Sequence, residues 1–229
     1  MDIGSVLSEA WDLYKRFLWR FFLTALVVFV VLDLFSALAD AAAEDSLLAG
    51  FFWGLVAAVV TVIGYVLVQG ALVVLASDAR DGRADRSLVD TYGAVWPRLP
   101  ALISAGVIAG VLIAIGLLLL IVPGLYLLTI WSMIVPAIVL EGRSAGDSFG
   151  RSHDIVRGNG WNVFGLIVVV FLIVVVALTV IRLIFAPLPD FLDAWVGSLV
   201  AHSLTVPFVA AVLTTAYFRL TAENRKPPH

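Results

Sequence analysis

The sequence predicts an all-α integral membrane fold. Six transmembrane helices form three hairpins, each preceded by an amphipathic interfacial helix on the cytoplasmic side, and both termini are cytoplasmic. Three observations carry this expectation. Hydrophobic residues make up 62% and charged residues 14% of the chain, whereas a soluble domain carries about 25% charge. Six runs approach or exceed the length of about 20 apolar residues that a spanning helix needs. Lys and Arg collect in alternate loops, the bias that sets orientation in a bilayer.

The runs follow in order. The first covers Phe17 to Ala39, and the second is long, Leu47 to Ala76, so it tilts or projects beyond the bilayer. The third covers Leu99 to Val122. Pro123 and Gly124 then read as a tight turn, because Pro lacks a donor and Gly tolerates positive φ. A single helix over 99–140 would be about 63 Å long, roughly twice a ~30 Å hydrocarbon core. The fourth run is therefore separate, Leu125 to Leu140, followed by Trp161 to Ala186 and Trp195 to Leu220. Pro136 and Pro207 fall inside the fourth and sixth runs, where each removes a backbone bond and kinks its helix.

Lys15, Arg16 and Arg20 open the first span. Arg80, Arg83, Arg86 and Arg98 lie between the second and third, and Arg143, Arg151 and Arg157 between the fourth and fifth. Arg219, Arg225 and Lys226 close the chain. The opposite side receives Asp40 to Asp45, the Pro-Gly turn and Pro187 to Asp193, with no basic residue. Only Arg182 breaks the pattern. The expected setting is the bacterial cytoplasmic (inner) membrane; the excess of Arg over Lys points to a GC-rich bacterial genome. Met1 to Arg16 is amphipathic and lacks the order of a secretory signal.

The chain is one polytopic domain over 1–229, with units 1–76, 87–140 and 144–220 and a polar tail, 221–229. Ile3, Val6, Leu7, Ala10, Trp11, Tyr14, Phe17 and Leu18 keep helical spacing ahead of the first span. Leu88, Val89, Tyr92, Val95, Trp96 and Leu99 do so ahead of the third, behind a Ser87-x-x-Asp90 start signal. A weaker face, Phe149, Ser152, Ile155 and Val156, precedes the fifth, with Ser144 and Asp147 at its start. An acid-small-aromatic triplet recurs as Glu9-Ala10-Trp11, Asp90-Thr91-Tyr92 and Asp147-Ser148-Phe149, which reads as a threefold repeat. Trp11, Tyr92, Trp96, Phe149 and Trp161 are the expected interfacial aromatics.

The segment IVPGLYLLTIWSMIVPAIVLEGRSAGDSFGRSHDIVRGNGW holds Pro123-Gly124-x-Tyr126, then Pro136-Ala137-x-Val139-Leu140-Glu141-Gly142, then Ser152-x-x-x-Val156-Arg157-Gly158. With the opening Ala10-Trp11-x-x-Tyr14, it resembles the membrane domain fused to some bacterial glycerophosphodiester phosphodiesterases and the related YciC-type inner-membrane proteins. The resemblance implies a six-span fold and brings no activity with it. The phosphodiesterase itself would need a separate soluble domain.

No catalytic constellation is legible. His153, His202 and His229 have no metal-ligand spacing, and cysteine is absent. Neither a G-x-S-x-G elbow nor a P-loop occurs. The expectation is no metal, no cofactor and no enzyme. A net charge of −3 argues against nucleic acid. Polar groups inside spans default to a functional hypothesis. They are Asp33, Gln69, Arg182 and His202, of which Asp33, Arg182 and His202 share a depth band and could converge. A structural pairing of Asp33 with Arg182 or His202, or an Arg182 that snorkels to headgroups, explains the same residues. Gly50-x-x-x-Gly54 and Gly106-x-x-x-Gly110 match the small-residue packing motif, for packing within the bundle or for a homo-oligomer. The leading functional expectation is a non-catalytic module that interacts with membrane lipids or a protein partner. The alternative is a transporter or channel for a small solute or amphiphile.

Overall fold

The computed structural model describes residues 1–43, 46–82, 85–187 and 193–224, with side chains omitted at 40–43, 193 and 194. Glu44, Asp45, Arg83, the heart of the 187–193 loop, Arg225, Lys226 and His229 lie outside the described residues. All described regular structure is helical. The helices are α1 (Ile3–Arg16), α2 (Leu18–Ala43), α3 (Leu47–Arg80), α4 (Leu88–Val95), α5 (Leu99–Leu119), α6 (Ile121–Ile130), α7 (Ile134–Glu141), α8 (Ala145–Val156), α9 (Gly160–Phe185) and α10 (Ser198–Asn224). A 3₁₀ turn, Trp96–Arg98, joins α4 to α5, and a π turn, Asp193–Gly197, leads into α10. Six stretches are long and apolar enough to cross a membrane: Leu18–Ala39, Leu47–Arg80, Leu88–Leu119, Ile121–Glu141, Gly160–Phe185 and Trp195–Asn224. The chain is a multi-pass membrane protein by this criterion.

The short helices start where their caps dictate. Asp2, Ser87 and Ser144 each accept a backbone N–H three residues on with the side chain, satisfying one orphan donor of α1, α4 and α8. In α4 and α8 the hydroxyl also donates to the acid at the third helical position, Asp90 or Asp147. Glu9, by contrast, sits mid-helix in α1, so the three acids do not share a register. The small residue of each triplet does share a fate: Ala10, Thr91 and Ser148 are all buried.

That burial changes the picture of the short helices. None simply floats on its apolar face. α1 runs along α10: Ser5 and Glu9 meet Arg219, Trp11 and Tyr14 meet Phe208, and the Tyr14 hydroxyl donates to the Leu204 carbonyl at 3.0 Å. The α4 hydroxyl of Tyr92 donates to the Thr24 carbonyl, and Phe149 packs edge-on against Trp131 at 5.0 Å. Tyr92 and Phe149 are half-buried against these partners, while Trp96 and Trp161 are exposed. The buried face of the second short segment is Thr91, Val95 and Leu99; Val89 is 81% exposed.

The Pro-Gly turn is a correction. The helix breaks at Leu120, a single extended residue between α5 and α6. Pro123 lies in the first turn of α6, where its missing N–H has no intrahelical partner to lose. Gly124 is a packing surface: a Cβ there would come within 2.5 Å of the Leu117 backbone nitrogen, and one on Gly116 within 2.9 Å of Gly124. Gly124→Ala is expected to force α5 and α6 apart and cost about 1–3 kcal/mol, read as a lowered unfolding midpoint in detergent. Gly54→Ala, whose Cβ meets open space, should leave the midpoint in place. Equal midpoints for both variants would refute the close approach. Gly110 also faces open space and Gly106 meets only Val66 at 3.7 Å, so Gly54, Gly106 and Gly110 are not where the described helices approach most closely.

Pro136 is a second correction. It lies in the first turn of α7, and the interruption precedes it at Trp131 to Met133. Pro207 does stand inside its helix, where the Ser203 carbonyl loses its usual donor. The Tyr14 bond falls on the next carbonyl. Burial pushes the Tyr14 phenol up to about 12, so it stays a donor at neutral pH.

Candidate functional site

The four polar span residues separate. Asp33 on α2 and His202 on α10 come together with Tyr65 on α3. The His202 ring stacks on Phe29 at 5.1 Å and meets Tyr65 edge-on at 6.1 Å. Asp33 stands one helical turn along α2 from Phe29 and makes no ion pair or hydrogen bond with His202. Asp33 Oδ2 and His202 Nδ1 are sealed from solvent and have no hydrogen-bond partner. Arg182 does not join them: it is exposed on α9 and has no carboxylate partner among the described residues. Gln69 is half-buried on α3, one helical turn beyond Tyr65.

A second feature was not foreseen. α1 fills the gap between α9 and α10 only in part; Ile3 packs over Gly165, and farther along a cleft of about 770 Å³ stays open. Trp11, Tyr14 and Leu18 line one side, Val174 and Ala177 of α9 another, and Leu204 and Phe208 of α10 the back. Thr205 and Ser8 are its polar lining residues besides the tyrosine, and the Thr205 hydroxyl is spent on the Ala201 carbonyl at 2.7 Å. The walls are almost entirely hydrocarbon. A smaller cavity of about 340 Å³ lies at the basic end, between Trp19, Arg20, Arg86 and Ser87. The face of α9 that lines the large cleft had no sequence signature, since that helix is apolar all round.

A third feature gathers the basic segments at one end of the bundle. Glu141, at the end of α7, accepts from Arg151 at 2.8–2.9 Å, from Arg143 at 3.0 Å and from the Tyr217 hydroxyl at 2.6 Å. Its position depends on Gly142, whose φ of 68° ends α7 in the left-handed region that glycine favours. The Glu141 partner holds the Arg151 guanidinium above its usual pKa. Glu9 similarly accepts from Arg219 at 2.6 and 2.8 Å and lies 3.7 Å from Arg80, which stands 4.4 Å over the Phe218 ring. Asp78 and Arg86 approach to 2.8 Å without hydrogen-bond alignment. The N-terminal ammonium reaches Glu223 at 3.2 Å and Asn159 at 3.1 Å.

Residues 45–220 match the family model of a domain of unknown function, DUF7847. The chain belongs to that family. No curated protein and no solved structure matches it. The DUF7847 segment contains His202, Glu141, Ser152 and the back of the cleft, while Asp33, Glu9 and the Trp11–Tyr14 wall lie ahead of it. The residues before the DUF7847 match therefore complete both the polar cluster and the cleft. The match carries no phosphodiesterase or YciC-type label. Among the described residues no group of His, Asp and Glu side chains is placed to hold a metal ion.

Proposed function

We propose that this protein is a non-catalytic membrane module that holds a phospholipid acyl chain in the cleft between α1, α9 and α10. The cleft carries the reading. Its α9 and α10 walls belong to candidate spans, where the surrounding solvent is hydrocarbon. An unfilled groove there forfeits dispersion contacts on one side, and no hydrophobic force drives apolar helices together within lipid. An acyl chain restores those contacts and asks for no hydrogen bond. Its volume is in the range of small-molecule sites. The cleft reaches none of Asp33, Arg182 and His202, so the transport reading gains no support from it.

The finer topology belongs to the same proposal. Six spans pair as three hairpins, with the basic loops and both termini on the cytoplasmic face of a bacterial inner membrane, as the distribution of Lys and Arg supports. The three-unit division, and the likeness to phosphodiesterase-linked and YciC-type membrane domains, rest on the motifs quoted above. A protein partner or second copy would add to this role rather than replace it.

The test is native mass spectrometry of the full chain released from nanodiscs of defined phospholipid. Ala177→Trp, which fills the cleft, is expected to abolish most retained lipid. Val176→Trp, on an exposed neighbouring position, should retain it. Equal retention by Ala177→Trp and the parent would end the proposal.

A further inference from the structure

We propose that Asp33 and His202 form a single proton-binding site inside the membrane-spanning bundle, shared between α2 and α10. The inference is independent of the lipid cleft. Three helices converge on the site: the His202 ring of α10 stacks on Phe29 of α2 and meets Tyr65 of α3 edge-on, and Asp33 stands one helical turn along α2 from Phe29. No lysine or arginine pairs with Asp33 among the described residues. A carboxylate atom and an imidazole nitrogen, both sealed and both without a hydrogen-bond partner, face a medium in which unpaired polar atoms are expensive.

The chemistry of two such groups limits what relieves the cost. With one proton between them they are a carboxylic acid beside an imidazole, or a carboxylate beside an imidazolium. Both arrangements are neutral overall. With no proton the site carries one negative charge, and with two it carries one positive charge, and no described residue forms an ion pair with either group. The proton comes from bulk water and returns there; what forms and breaks is one O–H or N–H bond. Because the groups interact, the proton belongs to the pair rather than to either residue. The stacked Phe29 ring and the edge-on Tyr65 ring fix the imidazole plane, so the pair is held by apolar contacts while its polar atoms stay available to the proton.

The experiment is pH-difference infrared spectroscopy on the full chain in nanodiscs, with ¹³C-labelled aspartate. The expected result is a carboxylic-acid carbonyl band from an aspartate that is absent in Asp33→Asn. In His202→Gln the band should persist but titrate with its midpoint moved by at least about one pH unit, the signature of coupled sites. Tyr65→Phe should move it less. A full-strength band in Asp33→Asn, or a midpoint unchanged by His202→Gln, would overturn the proposal. The His202→Gln arm reads native Asp33, so it decides the question even if Asp33→Asn fails to fold.

Discussion

Glu141→Ala is expected to lower stability by about 3 kcal/mol or more, the loss seen when one partner of a poorly hydrated ion pair is removed. The side chain is only 18% exposed, and three groups converge on it. Removing it strands the Arg151 guanidinium, 27% exposed, and leaves the Tyr217 hydroxyl without its 2.6 Å acceptor. The damage extends beyond one contact, because Glu141 joins α7 to both α8 and α10. Glu141→Gln separates shape from charge. The amide oxygen still accepts from one Arg151 nitrogen or from Tyr217, so a smaller loss is expected, on the order of 1–2 kcal/mol. A double-mutant cycle with Tyr217→Phe should give a coupling of at least about 0.5 kcal/mol. Reversible unfolding by denaturing detergent in mixed micelles measures all three. Unfolding of Glu141→Ala together with the parent would show that the cluster is a solvated surface group with no structural role.

The contrast between this cluster and the Asp33–His202 pair explains how much of the molecule could be read in advance. Hydropathy alone is enough for six spans, because a run that must be hydrated or sheathed in lipid declares itself by length. Helix limits followed within a few residues for the same reason. What hydropathy does not encode is which side of an apolar helix meets protein. The sides of α9 are chemically alike, so the cleft beside Ala177 had no signature, and neither did the approach of Gly124 to Leu117. Depth counting brought Asp33 and His202 together but also admitted Arg182, since depth along a span says nothing of azimuth around the bundle. Glu9 was legible only as the acid of a recurring triplet, Glu141 as part of a loop motif and Arg219 as a charge closing the chain. Pairing across 210 residues, as between Glu9 and Arg219, is a product of the tertiary fold. The Glu141-Gly142 and Ser152 motifs that carried the family resemblance turn out to serve architecture: one clamps three helices, the other repairs a broken one.

That repair underlies the second large effect. Between α6 and α7 the ladder is interrupted at Trp131 to Met133, and Pro136 cannot donate to the carbonyl four residues behind it. Ser152, fully buried on α8, closes the gap from outside: its hydroxyl donates to the Ile130 carbonyl at 2.7 Å and accepts the Met133 N–H at 3.1 Å. One side chain thus satisfies an orphan acceptor and an orphan donor at once. Ser152→Ala leaves both buried backbone groups unpaired, each at about 1–3 kcal/mol, with almost no change in volume. The expected loss exceeds that of a lone hydroxyl deletion such as Thr179→Ala, whose exposed side chain bonds only its own helix at the Val175 carbonyl. Ser152→Thr keeps the hydroxyl but adds a methyl in a filled space, so it should restore less than the full stability. Amide hydrogen exchange supplies the local readout: the Met133 amide should exchange faster in Ser152→Ala, while amides in the middle of α3 keep their protection. If Met133 stays as protected as in the parent, the two halves of this span are held by packing alone and Ser152 is a passenger in the interface between α6, α7 and α8.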